Sequence, residues 1–306
     1  MSNQNLFLPY YHSIQGNERL PHIEHLYKPK TKKEFEKELD FMLKYYQPIS
    51  MNELKKHISE EKAFKRPSFH LSFDDGLREV HEIVMPLLLK KGIQATFFLN
   101  SSFIDNKELF YRYKVSLIID SIKNEKNYNS VISQLLKFRY KDISKINQLG
   151  KEYGVNFEHF LEKEHPYLNS SQVKDLIQNG FSIGAHSKDH PHYMDLSLQD
   201  QIEQTKTSLS FIRKNYNIDY NIFSFPFTDF GVKDDFFNTI TSQKLTDLTF
   251  SSSGLKKDKL KTHLHRTQME NNGQSGQSIL KTEYLYFLFK SPFGKNIANR
   301  NGDQKD

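Results

Sequence analysis

A chain of 306 residues with 37% hydrophobic residues, among them 25 Phe and 16 Tyr, carries enough apolar material for a sizeable core, which excludes general disorder. The absence of cysteine rules out disulfides, thiolate metal sites and a cysteine nucleophile, so any metal must be held by His, Asp or Glu. The net charge of +6 is spread along the chain and points to an anionic partner such as a phosphate-linked sugar or a membrane surface; with no Lys/Arg run, zinc-finger spacing or RNA-binding signature, no nucleic-acid partner is expected.

The N-terminal residues lack the basic segment of a secretory leader, and the apolar runs at 6–11 and 284–289 are far shorter than the roughly 20 residues of a membrane span. The cytoplasm is therefore the expected compartment, with peripheral membrane contact left open.

In chain order, residues 6–11 read as a short buried strand ending at His12. Apolar residues at 35, 39, 42, 43 and 46 predict a helix over 32–46. A strand over 68–73 runs into Asp74-Asp75-Gly76, where glycine after two acids signals an abrupt turn. An amphipathic helix over 80–91 closed by Gly92 and a Phe/Thr-rich strand over 94–100 complete a βαβ unit. From 105 to 166 the chain turns polar and Lys/Asn-rich with helical periodicity and no strand, the signature of a helical insertion. Then come a helix at 170–179, a strand at 181–185 that stops at His186, a long helix at 196–215, short strands at 221–225, 248–251 and 263–267, and a terminal helix at 277–290. Such alternation predicts one α/β domain over 1–306 with a parallel sheet or barrel, and function at the carboxyl ends of its strands.

Two motifs lie at those ends. Ser72-Phe73-Asp74-Asp75-Gly76 sets two carboxylates side by side; by itself it is also an ordinary capped strand-to-helix turn, although adjacent carboxylates repel and usually need a cation. His186-Ser187-Lys188-Asp189-His190 spaces two imidazoles four residues apart, so that both face one ion if the segment coils; the plainer reading is a solvated His-rich loop, which nearby His192 supports. Jointly they offer one carboxylate and two imidazoles for a metal, plus a spare carboxylate.

On these two motifs the chain resembles the NodB-like polysaccharide deacetylases, carbohydrate esterase family 4, over roughly 67–100 and 178–266. The resemblance implies a distorted (β/α) barrel of about seven strands. It also implies one divalent ion, expected to be zinc, held by Asp75, His186 and His190, with Asp74 as general base. An ion with three protein ligands keeps open positions for water and the amide oxygen, and it lowers the water's pKa. Phe223-Ser224-Phe225-Pro226-Phe227-Thr228 matches the aromatic-Pro-aromatic core of a third family motif but lacks its arginine and its trailing glycine. By analogy Pro226 and Phe227 line the acyl pocket, and the Phe227 N–H binds the oxyanion. Two histidines compete for the general acid. His12, in Tyr10-Tyr11-His12, resembles the N-terminal Tyr-His element of the permuted branch that includes biofilm-polysaccharide deacetylases, and it is preferred over His265, which resembles the Leu-x-His of the unpermuted family. Arg266 is the candidate to hydrogen-bond Asp74 in place of the missing arginine.

The expected reaction is removal of an N-acetyl or similar N-acyl group from an amino sugar, as part of a surface polysaccharide or of its lipid- or nucleotide-linked precursor. A deformylase or other amide hydrolase of the same superfamily, and a non-catalytic carbohydrate-binding relative, are the alternatives. The insertion is expected to shape the substrate cleft.

Overall fold

Eight short parallel strands form one sheet whose two ends meet. The computed structural model describes residues 5–123, 128–270, 273–294, 296–298 and 300. The strands are β1 (Pro9–Tyr11), β2 (Leu71–Phe73), β3 (Ala95–Leu99), β4 (Ser182–Ala185), β5 (Ile222–Ser224), β6 (Leu248–Ser251), β7 (His263–His265) and β8 (Thr267–Gln268), in the spatial order β7-β6-β5-β4-β3-β2-β1-β8. Only Arg266 separates β7 from β8, yet β7 pairs with β6 and β8 pairs with β1. One extended stretch of chain therefore bridges the two edges and nearly closes a barrel, with eight strands where about seven are expected, because residues 263–268 divide between the two edges.

Strand alternation sorts the side chains. The row Tyr10, Ser72, Thr96 runs across neighbouring strands in register, and so does Ser224, Phe250, Leu264. Phe98, Ile222, Leu248, Phe250 and Leu264 fill the barrel interior together with Met51 and Leu54 from helix α2 (Met51–Ser59), which follows α1 (Lys32–Tyr45). The opposite faces, with Tyr11, Phe73, Phe97, Ile183 and Phe223, pack against the surrounding helices. These include α1, α3 (Met85–Lys91), α8 (Ser170–Gln178), α9 (Leu198–Tyr216) and α10 (Asp234–Ser242). Capping boxes at Thr31/Glu34 and Ser50/Glu53 start α1 and α2.

Among the described residues, four α-helices occupy the polar segment: α4 (Tyr111–Ser121), α5 (Tyr128–Leu135), α6 (Ile143–Glu152) and α7 (Phe157–Glu164). They bury a cluster of their own around Tyr113, Ile118, Ile146 and Leu161, which meets the barrel through Leu77, Phe103 and Tyr167. The last α-helix among the described residues is α11 (Gly276–Lys290).

Three runs read as single strands are each divided. Leu6–Phe7 and Ser68–Phe69 pair in a side sheet with Gln47–Pro48, while the residues after Leu8 and His70 enter the barrel, and residues 263–267 divide at Arg266. All these runs are buried on both faces, so no change of periodicity marks the point where the partner changes. Helix 80–91 begins as a π-turn over Val80–Val84, in which the Met85 N–H donates to Val80 five residues back. Pro86 follows directly; it has no N–H for the α-ladder, and a wider turn relieves the clash of its ring with the carbonyl four residues earlier.

Candidate active site and metal centre

Alternation aims Ser72 and Asp74 into the barrel mouth, and the chain then breaks sharply. Asp75 and Gly76 both adopt φ of +69°, which swings the second carboxylate back over the same opening. A Cβ on Gly76 would meet Leu99 Cδ2 at 2.9 Å, so both conformation and space ask for glycine there.

His186 continues β4, and its Nδ1 lies 2.9 Å from the Ser224 carbonyl, which only an Nδ1–H can satisfy. That fixes the tautomer and leaves the Nε2 lone pair facing the mouth. The segment 186–190 is not a helical turn. Ser187 and His190 take positive φ of 66° and 62°, and the Ser187 Oγ accepts the His190 N–H at 3.0 Å, so a pinned loop brings the second imidazole round. Phe227, with φ of 56°, completes a group of four strained non-glycine residues at this opening. Left-handed backbone at such residues costs of order 1 kcal/mol each and tends to persist at functional sites.

His186 Nε2 and His190 Nε2 lie 3.4 and 3.1 Å from Asp75 Oδ1. Yet that buried oxygen has no aligned hydrogen-bond donor among the described residues. Two ligands each about 2.1 Å from a tetrahedral ion stand about 3.4 Å apart. The donor set, its spacing and the orphaned oxygen all fit a divalent cation. Asp75 Oδ2 is held separately, accepting from Tyr113 Oη of α4 at 3.1 Å.

Asp74 stands beside this group. Its Oδ2 is 3.9 Å from His186 Nε2, and both its oxygens accept from Arg266, at 2.8 and 2.6 Å. Arg266 is 1% exposed; it also donates to Ser72 Oγ and Ser224 Oγ and lies 4.4 Å from the Tyr10 ring centre. Burial by itself would raise the Asp74 pKa, but Arg266, then His186, hold it below the usual carboxylate range. The Asp75 carboxyl, also opposed by burial, is pulled well below that range, chiefly by His190.

The two histidine candidates part company. His12 Nδ1 lies 2.5 Å from Glu270 Oε2, and its ring is 5.1 Å from Tyr27, whose hydroxyl meets that of Tyr113 at 3.5 Å. Burial opposes its protonation, but Glu270, with Asp75 and Asp74, raises the pKa to about 9. His265 faces out of the barrel: it hydrogen-bonds Asp258 at 2.9 Å and packs on His263, while its neighbour Leu264 points inward. None of its contacts among the described residues reaches Asp74 or Asp75. Pro226 is buried, and the Phe227 ring lies 4.5 Å from His190 and stacks on His192 at 3.7 Å. The Phe227 N–H has no acceptor among the described residues.

Glu270 and Tyr113 were not singled out in the sequence. Glu270 lies two residues beyond β8, a strand-end position that gave a signal, and it also accepts the His12 and Ser13 N–H groups. Tyr113, inside a long polar segment, gave none.

The polysaccharide deacetylase family model matches residues 61–135 and 140–248, more than half of the chain and both motif segments. No curated protein matches. Among solved structures, the Streptococcus pyogenes deacetylase PplD is similar with a TM-score of 0.61 at 15% identity, covering 91% of this chain and 97% of its own. A de-N-acetylase from Aggregatibacter actinomycetemcomitans has 0.59 at 14%, covering 91% and 99%, and IcaB from Ammonifex degensii has 0.58 at 14%, covering 92% and 96%. At such identities these likenesses speak for the barrel, and the family match speaks for descent. With both motifs inside the matched segments and their side chains drawn to one opening, the chain belongs to the polysaccharide deacetylase family.

Proposed function

We propose that this amide hydrolase removes an N-acetyl group from an amino sugar of a polysaccharide, or of its lipid- or nucleotide-linked precursor, with the help of one zinc ion. The observation that carries this reading is the convergence of Asp75, His186 and His190 beside an Asp74 that Arg266 keeps ionised. A divalent cation held by those three residues supplies Lewis-acid polarisation of the acyl oxygen and acidifies water.

Asp74 takes a proton from the water that adds to the acyl carbon. The free Phe227 N–H donates to the acyl oxygen as it becomes an oxyanion. His12, held as the imidazolium by Glu270, then protonates the nitrogen as the carbon–nitrogen bond breaks, leaving free amine and acetate. His265, which is turned away from the opening, has no part in this sequence. The Phe227 and His192 rings and the α4 side of the opening offer an apolar wall for a small acyl group.

Purified protein loaded with zinc should release acetate and free amine from N-acetylated amino-sugar oligomers. Asp74→Asn should lower turnover by at least about 100-fold with metal content unchanged, whereas His186→Ala should lose the ion held there. Equal metal loss in both variants contradicts these roles, and release of formate but not acetate from an acyl panel points to a deformylase instead.

We further propose peripheral contact with an anionic membrane surface. No described helix is long and apolar enough to cross a membrane. Around the end of α11, however, Leu285, Leu288, Phe289 and Phe293 are 56–76% exposed, on more than one helix face, with Lys281 and Lys290 beside them. Apolar side chains exposed at a helix end can enter the headgroup boundary, and lysines suit anionic headgroups. Co-sedimentation with phosphatidylserine vesicles but not phosphatidylcholine vesicles, lost in Leu288→Ser/Phe289→Ser, is the expected result; equal sedimentation of the variant contradicts it.

A further inference from the structure

A second group of metal-ligand side chains lies outside the barrel mouth. Asp229, in the loop after β5, meets His263 and His265 of β7 on the outer face of the sheet, with one ligand atom of each within 4.8 Å of the others. All three are inaccessible: Asp229 is 7% exposed, His263 3%, and the His265 side chain 4%.

Each residue is pinned from behind. His263 Nδ1 lies 2.7 Å from Thr249 Oγ1, and His265 Nε2 lies 2.9 Å from Asp258 Oδ2. Asp229 Oδ1 accepts from Ser251 Oγ and Ser253 Oγ, each at 2.6 Å. What faces the centre is Asp229 Oδ2, hydrogen-bonded to His263 Nε2 at 3.2 Å, and His265 Nδ1, which has no hydrogen-bond partner among the described residues. A carboxylate holding the far nitrogen of a histidine whose near nitrogen is left bare is the arrangement that orients a metal-binding imidazole. The 3.2 Å spacing is also that of two ligands on one tetrahedral ion.

Charge agrees. Arg300 pairs with Asp258 and stands 3.7 Å from Asp229 Oδ2, beyond hydrogen-bond reach. Two carboxylates thus face one guanidinium, an arrangement that accommodates a further cation.

We propose that Asp229 Oδ2, His263 Nε2 and His265 Nδ1 form a second divalent-cation site of zinc type, structural rather than catalytic. Occupancy ties β7 to the loop that carries Phe227, two residues before Asp229. The site is independent of the deacetylase reading.

The 306-residue chain loaded with Zn²⁺ or Co²⁺ alone and desalted should hold two ions per chain by elemental analysis. His190→Ala should hold one, with the visible bands of four-coordinate Co²⁺ retained; His265→Gln should hold one; the combined variant should hold none. Asp229→Asn, which keeps the acceptor for Ser251 and Ser253, guards against misfolding of His265→Gln and should likewise hold one. A single ion in the wild type that His190→Ala loses and His265→Gln keeps overturns the proposal while sparing the catalytic centre. Two ions in both His265→Gln and Asp229→Asn overturn it as well. A single ion lost only in His265→Gln supports this site and removes the other.

Discussion

Replacing Arg266 by methionine keeps most of the side-chain volume and removes the charge, so it isolates the Arg266–Asp74 pair. Asp74 is 2% exposed, and Arg266 provides its two short hydrogen bonds; the remaining contacts, Ser224 Oγ at 3.4 Å and His186 Nε2 at 3.9 Å, are weaker. Stripping one partner from a buried pair costs about 3–5 kcal/mol. Against a total stability of about 5–15 kcal/mol, that lowers the melting temperature by roughly 10 °C for a chain of this size. The pH dependence gives the sharper reading. In the wild type the Asp74 pKa lies below its unfolded value, so the ionised carboxylate adds stability above the ordinary carboxylate range and loses it as pH falls through the lowered pKa. Without Arg266, burial dominates and the sign reverses: the charged carboxylate destabilises the fold at neutral pH, and protonation on acidification relieves it. The gap between wild-type and Arg266→Met melting temperatures should therefore be wide near pH 7 and narrow as pH falls towards 4. Arg266→Met/Asp74→Asn should recover part of the loss. A gap that stays constant from pH 8 to pH 4, with single losses that simply add, would rule out this account.

Glu270→Gln removes the largest of the charges that together outweigh burial at His12. The alkaline limb of deacetylation, expected near the His12 pKa of about 9, should move down to below about pH 7, with turnover at pH 8 reduced at least about 10-fold; a pH–rate profile checks it. A bound dication lowers the limb in both proteins and leaves the shift between them. Tyr113→Phe deletes the hydroxyl that holds Asp75 Oδ2 and should weaken zinc affinity about 10- to 100-fold, as measured by chelator competition, with little change in melting temperature of the metal-free protein. Gly184→Ala puts a Cβ 2.5 Å from Phe98 Cδ1 and 2.9 Å from Ile222 Cγ1 inside the barrel, and should cost about 1–3 kcal/mol in denaturant unfolding while the metal ligands remain in place.

Local patterns carried much of this protein. Apolar spacing gave α1, α8 and α9 to within a residue or two, and α4 to α7 fall where helical periodicity was read without a strand. The turn at Asp74-Asp75-Gly76 and the His186/His190 spacing marked a carboxylate pair and two imidazoles as a candidate metal group, because a strand end and a short loop are chemistry of neighbours in the chain. Short-range patterns did not mark α2 or α10 as separate helices, and they read residues 6–11 as one strand where two sheets share it.

The pairings that make the site work join residues far apart in sequence: Arg266 with Asp74, Glu270 with His12, Tyr113 with Asp75. Closure of the barrel between β7 and β8 decides them. It turns Arg266 inward and its neighbour His265 outward, so of two histidines with similar local surroundings only His12 reaches the opening. Period-two alternation says that adjacent residues face opposite ways, but which way is inward depends on where the sheet closes. That is a property of all eight strands together, and no single segment of the chain contains it.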